Sequence, residues 1–273
     1  MQPLTDFSRL SLNQKTTDRW SLREAIEGCA RAGIPYIGVW REKLAEAGIS
    51  MSRRHLADAG LKVSSVCRGG WFPAATETAW QARLDDNRRA LDEAAAVGTD
   101  TLVLVCGPAV DRDIVAARDI VAESLAQLLP YAEERGVKLA IEPLHPMFAA
   151  DRSVIVTLAE ANTLAERFSS PYVGVIADVY HIWWDPDLYA QIARAGRHIL
   201  GYHVSDWLVP TPDILLGRGM MGDGVIELRR IRAAVEAAGY TGPIEVEIFN
   251  QAIWDTPGEE TLALIKKRWL ECV

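Results

Sequence analysis

The stretch that decides the fold is Lys138-Leu139-Ala140-Ile141-Glu142-Pro143-Leu144-His145, a short apolar run that ends on a carboxylate. Ala140 and Ile141 have the character of a strand that is covered on both faces, as strands of parallel sheets are. Pro143 has no N–H to donate to a neighbouring strand, and it therefore ends the ladder. The pattern places Glu142 at the carboxyl end of the strand, where the active sites of parallel sheets and barrels lie.

Three other stretches have the same form, an apolar strand that ends on an acidic residue or a histidine. They are Val175-Ile176-Ala177-Asp178, Ile199-Leu200-Gly201-Tyr202-His203 and Ile244-Glu245-Val246-Glu247. Since the carboxyl ends of neighbouring parallel strands meet at one edge, we expect four side chains to converge on one divalent metal ion: Glu142, Asp178, His203 and Glu247. Three carboxylates and an imidazole suit Mn²⁺ best, with Mg²⁺, Co²⁺ or Zn²⁺ as alternatives. Without a cation, three clustered acids would repel each other.

The rest of the chain repeats this unit of a strand followed by a helix. The predicted strands end near Asn13, Trp40, Cys67, Cys106, Glu142, Asp178, His203 and Glu247. Eight parallel strands within ~250 residues predict an α/β fold, a single (β/α)₈ TIM barrel that occupies residues 1–273 as one domain. The alternative is an open, doubly wound sheet, but no Gly-x-Gly-x-x-Gly turn follows the first strand.

Composition and charge restrict the kinds of partner. The chain has 273 residues, of which 49% are hydrophobic, and a formal net charge of −8, which disfavours nucleic acid and anionic membrane surfaces. Its four cysteines are scattered, which predicts free thiols in a reducing compartment. The N-terminal segment Met1–Asp6 lacks the basic and apolar regions of a signal peptide, and no apolar run approaches the ~20 residues of a membrane span. We therefore expect a cytoplasmic protein.

Several residues of the loops that follow these strands are candidates for substrate binding. His181 and His145 each lie three residues beyond a predicted ligand, and Arg218 lies between two glycines of the loop 205–224. A loop longer than ~12–15 residues is usually a lid or a binding loop. Trp183, together with three residues at or just beyond strand ends two and three, is a candidate for the pocket wall; the three are Trp40, Arg68 and Trp71. The alternative for the histidines and Arg218 is a solvated loop position, and for the tryptophans it is core packing.

The chain resembles the sugar phosphate isomerase/epimerase family, the xylose isomerase-like TIM barrels, which include ketose 3-epimerases, hydroxypyruvate isomerase and inosose dehydratase. The resemblance covers essentially the whole chain. The stretches that carry it are Ile141-Glu142-Pro143, Ala177-Asp178-Val179-Tyr180-His181, Tyr202-His203-Val204-Ser205-Asp206, Gly222-Asp223-Gly224-Val225-Ile226 and Gly239-Tyr240-Thr241-Gly242-Pro243-Ile244-Glu245-Val246-Glu247.

The resemblance implies a role for each matching residue. The family's metal ligands fall on Glu142, Asp178, His203 and Glu247. Its pair of acid/base glutamates falls on Glu142 and Glu247, its substrate-binding histidine on His181 and its loop arginine on Arg218. The implied activity is that of a metal-dependent sugar isomerase or epimerase of carbohydrate metabolism. It acts on a small keto-sugar or cyclitol by proton abstraction next to the carbonyl, through a metal-bound cis-enediolate. The family also implies a possible homo-oligomer.

Other functions remain open at this point. The first alternative is a dehydratase or lyase that eliminates a β-substituent from an inosose or a 3-keto-glycoside, with His145 protonating the leaving group. A non-catalytic barrel that binds a sugar or a protein partner is a second, and a barrel without a metal is a third. A DNA-repair endonuclease of the same superfamily needs more histidines than the five present and a basic groove.

Overall fold

Residues 3–273 are described by a computed structural model, in which eight parallel strands close into a barrel. Met1 and Gln2, which belong to the N-terminal segment considered above, lie outside the described residues. The barrel strands are β1 (Leu10–Asn13), β2 (Tyr36–Trp40), β3 (Lys62–Gly70), β4 (Thr101–Val105), β5 (Lys138–Ile141), β6 (Val173–Asp178), β7 (Ile199–Val204) and β8 (Ile244–Val246). Because β1 pairs with both β2 and β8, the sheet has no edge. The predicted TIM barrel is confirmed, and the open sheet is excluded.

Helices follow the strands around the outside of the barrel. They are α1 (Leu22–Ala32), α2 (Arg41–Ala47), α3 (Ile49–Asp58), α4 (Glu77–Val97), α5 (Ile114–Arg135), α6 (Leu158–Phe168), α7 (Val179–Ile182), α8 (Leu188–Ala195), α9 (Leu228–Ala237), α10 (Gln251–Asp255) and α11 (Gly258–Cys272). Three 3₁₀ turns add Gln14–Thr17, Pro146–Phe148 and Gly196–His198. α1 begins at a capping box, in which Ser21 and Glu24 satisfy each other's backbone N–H groups, and it ends at Gly33 in the left-handed conformation.

Part of the barrel interior is filled by a small apolar cluster that is separate from the main core between strands and helices. Its members come one from each of four adjacent strands: Cys67, Val103, Ala140 and Ile176. Side chains alternate between the two faces of a strand, so residues two positions apart share a face. Glu142 follows Ala140 by two positions, and Asp178 follows Ile176 in the same way. The cluster therefore forms the floor on which the predicted ligands stand.

Three further features bear on the expectations from sequence. Among residues 3–273, none of the helices has the length and apolar character needed to cross a lipid bilayer. Cys29, Cys67, Cys106 and Cys272 are free thiols, as predicted. Strand β3 continues beyond its predicted end at Cys67 to Gly70, because its last residues still pair with β4.

The long loop after β7 is tied to the barrel by one buried carboxylate. A short antiparallel ribbon pairs Asp206–Trp207 with Arg218–Gly219. The carboxylate of Asp206 accepts hydrogen bonds from the backbone N–H groups of Trp207, Gly222 and Ile226 at 2.8–3.0 Å. Gly224 packs so closely against this carboxylate that an added Cβ would lie 2.5 Å from its Oδ1 atom. Asp206 therefore fixes both ends of the loop that carries Arg218.

We predict that Asp206→Ala lowers the free energy of unfolding by about 2–3 kcal/mol, because three backbone donors lose a charged acceptor. Chemical denaturation monitored by circular dichroism measures the effect. Asp223→Ala, in the same loop but with a carboxylate that is 40% exposed and pairs with Arg268, serves as the control and costs less than about 1 kcal/mol. Equal losses in the two variants would contradict the role of Asp206 as an anchor.

Candidate metal centre

The four predicted ligands meet at the carboxyl end of the barrel. Glu142 directly follows β5, Asp178 ends β6, His203 is the penultimate residue of β7, and Glu247 directly follows β8. One donor atom from each residue lies within 4.8 Å of the donor atoms of the other three. All four side chains are buried, with at most 5% of any residue exposed.

The donor set fits a divalent cation. Glu142 Oε1 and His203 Nδ1 are buried, and neither has a hydrogen-bond partner among residues 3–273. The two atoms are 3.4 Å apart, and His203 Nδ1 is also 3.7 Å from Glu247 Oε2. Buried polar atoms without partners are costly, and a cation bound between them would satisfy both. Three carboxylates and one imidazole form an oxygen-rich set of the kind that hard divalent metals prefer.

Arg218 is the cation that the chain itself brings to this cluster. Its Nη1 atom donates to Asp178 Oδ2 at 2.9 Å and to Glu247 Oε2 at 3.0 Å. Its guanidinium is sandwiched between aromatic rings, 4.6 Å from the ring centre of Tyr180 and 4.8 Å from that of Phe249. These contacts bury the arginine almost completely and fix the plane of its donors.

The charges and burial of the cluster shift the pKa values of Glu142 and Glu247 in opposite directions. Burial raises the pKa of Glu142 to about 7, and the negative charge of Glu247 acts in the same direction. Burial also acts to raise the pKa of Glu247, but Arg218 and His203 outweigh it and lower that pKa to about 2. Two carboxyl groups in one site with such different proton affinities suit opposite roles in acid–base chemistry.

His203 faces a second carboxylate, which was not among the site residues predicted from sequence. Its Nε2 atom lies 3.9 Å from Glu245 Oε1, beyond hydrogen-bond distance, on the side of the ring away from Glu142. Glu245 Oε2 accepts hydrogen bonds from the hydroxyls of Ser64 at 2.6 Å and Ser65 at 3.0 Å. A histidine ligand commonly directs its second ring nitrogen to such a group, which fixes the orientation of the ring.

Asn13, at the end of β1, connects the two glutamates of β8. Its side-chain amide donates to Glu245 Oε1 at 2.6 Å and to Glu247 Oε1 at 3.1 Å. The indole N–H of Trp40 donates to the side-chain oxygen Oδ1 of Asn13 at 2.8 Å. This hydrogen bond sets the direction in which the side-chain amide of Asn13 points. At Gly38, an added Cβ would lie 2.0 Å from Glu245 Oε1, so only glycine leaves room for this carboxylate. The alternation Glu245-Val246-Glu247 is the signal by which the sequence could have identified Glu245, since the two glutamates share one face of the strand.

A cavity of about 210 Å³ opens above the cluster. Among the residues predicted to bind substrate, His181, Arg218 and Trp40 line it, together with the ligands Glu142 and Glu247. His181 is 2% exposed, and its Nε2 atom lies 3.1 Å from Arg218 Nη2. Burial, and then the charge of Arg218, lower the pKa of His181 well below its usual range, which keeps the ring neutral.

The other three predicted residues lie beside this cavity, outside its lining. His145 stacks on Trp207 with ring centres 5.0 Å apart, and its backbone N–H donates to His181 Nδ1 at 3.1 Å. Trp183 also packs against Trp207, at 5.5 Å. Trp71 lies under the guanidinium of Arg68 at 4.3 Å. These side chains support the cavity wall from behind.

Three further cationic residues line the cavity: Arg68, which the sequence placed at the pocket wall, and Lys15 and Arg152, which were not predicted. Lys15 follows β1, Arg68 lies within β3, and Arg152 lies in the loop before α6. Lys15 forms ion pairs with Asp18 at 2.9 Å and Glu42 at 3.1 Å. Lys15 and Arg152 lie outside the barrel strands and carry no periodic signal, and only the closing of the barrel brings them to the same cavity as Arg68.

We predict that Glu245→Gln weakens divalent-metal binding by about 10- to 100-fold, because His203 loses the charge that orients it. Competition with a chromophoric chelator, using Zn²⁺ and Mn²⁺, measures the dissociation constant. Glu271→Gln, at an exposed position of α11, is the matched control and keeps the affinity of the unmodified protein. Identical affinities in the two variants would contradict a role of Glu245 at the metal centre.

Curated relatives include dehydratases and isomerases. The chain is 28% identical over 252 residues to a 3-dehydroshikimate dehydratase of Pseudomonas putida, a match that covers 89% of this chain and 38% of that protein. The chain thus spans less than half the length of this relative. It is 22% identical over 282 residues to an inosose isomerase of Halalkalibacterium halodurans, with 97% of this chain and 96% of that protein covered.

Solved structures agree with the architecture. Protein SMc04130 of Sinorhizobium meliloti 1021 is 48% identical and superposes with a TM-score of 0.96, covering 98% of this chain and 99% of that one. The IolI protein, whose structure holds a bound zinc atom, has the same fold with a TM-score of 0.85 at 20% identity, and 96% of this chain and 97% of that one are covered. Residues 26–271 match the family described as xylose isomerase-like TIM barrel, and the chain belongs to that family.

Proposed function

We propose that this protein is a divalent-metal-dependent isomerase or epimerase that moves a proton at the carbon next to the carbonyl of a hydroxylated ketone. The observation that carries the proposal is the cluster of Glu142, Asp178, His203 and Glu247, whose donor atoms lie within 4.8 Å at the floor of a cavity. Mn²⁺ is the metal we propose. Bound there, it would act as a Lewis acid that polarises a carbonyl oxygen and makes the adjacent C–H more acidic.

The two glutamates divide the proton transfer between them. Glu247, which Arg218 and His203 keep ionised by lowering its pKa, accepts the proton from carbon. Glu142, the second glutamate of the cluster, returns a proton to carbon. Return to the opposite face of the same carbon gives an epimer, and return to the neighbouring carbon gives an isomer.

Arg218 and His181 supply donors for the substrate oxygen. His181 Nδ1 accepts the backbone N–H of His145, so in the neutral ring the proton lies on Nε2. Arg218 Nη2, which can only donate, lies 3.1 Å from that nitrogen, and both residues line the cavity. Two adjacent donors of this kind favour a shared acceptor atom. An oxygen that gains negative charge during proton removal would be stabilised by these two preorganised donors.

Elimination is the second candidate, and the likeness to 3-dehydroshikimate dehydratases over 89% of this chain supports it. It shares the first step, removal of a proton next to the ketone by Glu247. The pathways diverge afterwards, because loss of a β-hydroxyl as water replaces the return of the proton. Detection of an unsaturated product distinguishes elimination from isomerisation.

We predict that protein purified without chelator contains about one divalent metal ion per chain, and that Asp178→Asn loses it, because one of the four ligands then lacks its charge. Elemental mass spectrometry measures the content. Asp187→Asn, an exposed position before α8, keeps the metal. Metal that is sub-stoichiometric, equal in all three proteins and not restored by added Mn²⁺ would sink the proposed function.

Glu247→Gln tests the assignment of the base. We expect it to slow hydrogen exchange next to the carbonyl by at least ~100-fold, because the amide cannot accept the proton. Proton NMR in D₂O, with a panel of ketohexoses, an inosose and 3-dehydroshikimate, measures the exchange. Glu271→Gln serves as the control. Full exchange in the Glu247 variant would show that another group removes the proton.

A further inference from the structure

Two arginines line the cavity above the metal centre. Arg68 belongs to β3, and Arg152 lies in the loop between β5 and α6. Both side chains are partly buried, and both reach the same cavity as Glu142 and Glu247. Neither arginine contacts the four clustered ligands through an ion pair in the described part of the chain, so a function at the floor of the cavity does not account for them.

These arginines have little opposing charge close to them among residues 3–273, and for Arg68 the attraction of the more distant Glu42 is smaller than the repulsion from Arg152. Within residues 3–273, no carboxylate forms an ion pair with Arg68, whose guanidinium lies on the ring of Trp71. The one carboxylate that forms an ion pair with Arg152 in the described part of the chain is that of its neighbour Asp151, which is 3.9 Å away and 63% exposed. Arg152 Nε is buried and has no hydrogen-bond partner among the described residues. Burial, and then the charge of Arg152, lower the pKa of Arg68, so the two guanidinium groups repel each other.

The carboxylates of the metal centre are not available to balance the positive charges of Arg68 and Arg152. Glu142, Asp178 and Glu247 carry three negative charges when ionised. Arg218 offsets one of them through its ion pairs, and a divalent cation would offset the other two. Lys15, the remaining cation of the wall, is paired with two acidic residues. The excess positive charge of the cavity therefore lies at Arg68 and Arg152.

We propose that Arg68 and Arg152 bind a carboxylate group of the substrate, so that the protein acts on a hydroxylated keto acid and not on a neutral sugar. The inference rests on the proposed function, since the carbonyl end of the same molecule is placed at the metal centre. Arginine presents a planar fork of donors that matches the two oxygens of a carboxylate. The ring of Trp71 supports the face of one fork, and the ring of Phe148, 5.7 Å from Arg152, lies near the other.

A phosphate fits this wall less well than a carboxylate. Phosphate sites usually add backbone N–H groups from a glycine-rich turn or a helix N-terminus. The lining contributed by residues 3–273 includes no glycine. A carboxylate requires two or three donors in a plane, which two arginine side chains provide on their own.

Three catechols test the proposal on the Zn²⁺-loaded protein by isothermal titration calorimetry. Each has adjacent hydroxyls for the metal and differs on the opposite side of the ring: 3,4-dihydroxybenzoate, the neutral 3,4-dihydroxybenzamide and 3,4-dihydroxyphenylphosphonate. We expect the benzoate to bind about tenfold or more tightly than the benzamide, as charge-assisted hydrogen bonds imply. Arg68→Gln and Arg152→Gln each remove most of this preference, whereas Arg53→Gln, at an exposed position of α3, retains it.

The benzamide serves as an internal control for folding and for the metal centre. Unchanged benzamide affinity in Arg68→Gln and Arg152→Gln, together with a lost preference for the benzoate, supports the proposal. A preference that survives in both variants overturns the carboxylate site and leaves the proposed function intact. Phosphonate binding tenfold tighter than benzoate binding overturns the choice of carboxylate. Failure of the unmodified protein to bind both Zn²⁺ and the benzamide would instead overturn the proposed function.

Discussion

Mutual repulsion among three buried carboxylates is the constraint on which the rest of this structure depends. Glu142, Asp178 and Glu247 stand within 4.8 Å of one another at the mouth of the barrel. Removing an ion from water costs several kcal/mol, and like charges at this distance add to the penalty. Arg218 offsets part of it through two hydrogen bonds. The negative charge that remains suits a divalent cation, which would remove the repulsion between the carboxylates.

A further buried carboxylate, that of Glu245, lies one layer deeper in the barrel. A TIM barrel is usually filled by layers of branched apolar side chains. Here, part of the interior is polar, because Glu245 is held there by Ser64, Ser65 and Asn13. The absence of a side chain at Gly38 provides the space. The carboxylate of Glu245 is rigid because both of its oxygens are hydrogen-bonded. It therefore restricts the orientation of the His203 imidazole that faces it.

Sequence predicted the features that depend on local periodicity. The positions of Glu142 and Asp178 could be predicted from sequence for two reasons. Side chains alternate between the two faces of a strand, and the direction of the chain decides at which end of the barrel the last side chain lies. Parallel pairing then brings such ends together without any further information. The cluster of Arg68 and Arg152 could not be predicted in this way, because the residues lie in different elements and their meeting depends on barrel closure and loop paths.

The carboxylate of Asp206 has a consequence for how such proteins can diversify. It fastens the loop at the ribbon formed by Asp206–Trp207 and Arg218–Gly219, while the segment between the two ribbon strands projects outward, with Val209 70% exposed and Ile214 51% exposed. Substitutions at these exposed positions would leave the anchored arginine in place. Leu215, although in the same segment, lines the cavity. One loop therefore carries both an anchored arginine and a side chain of the cavity wall, so that the shape of the cavity can change at Leu215 without moving Arg218.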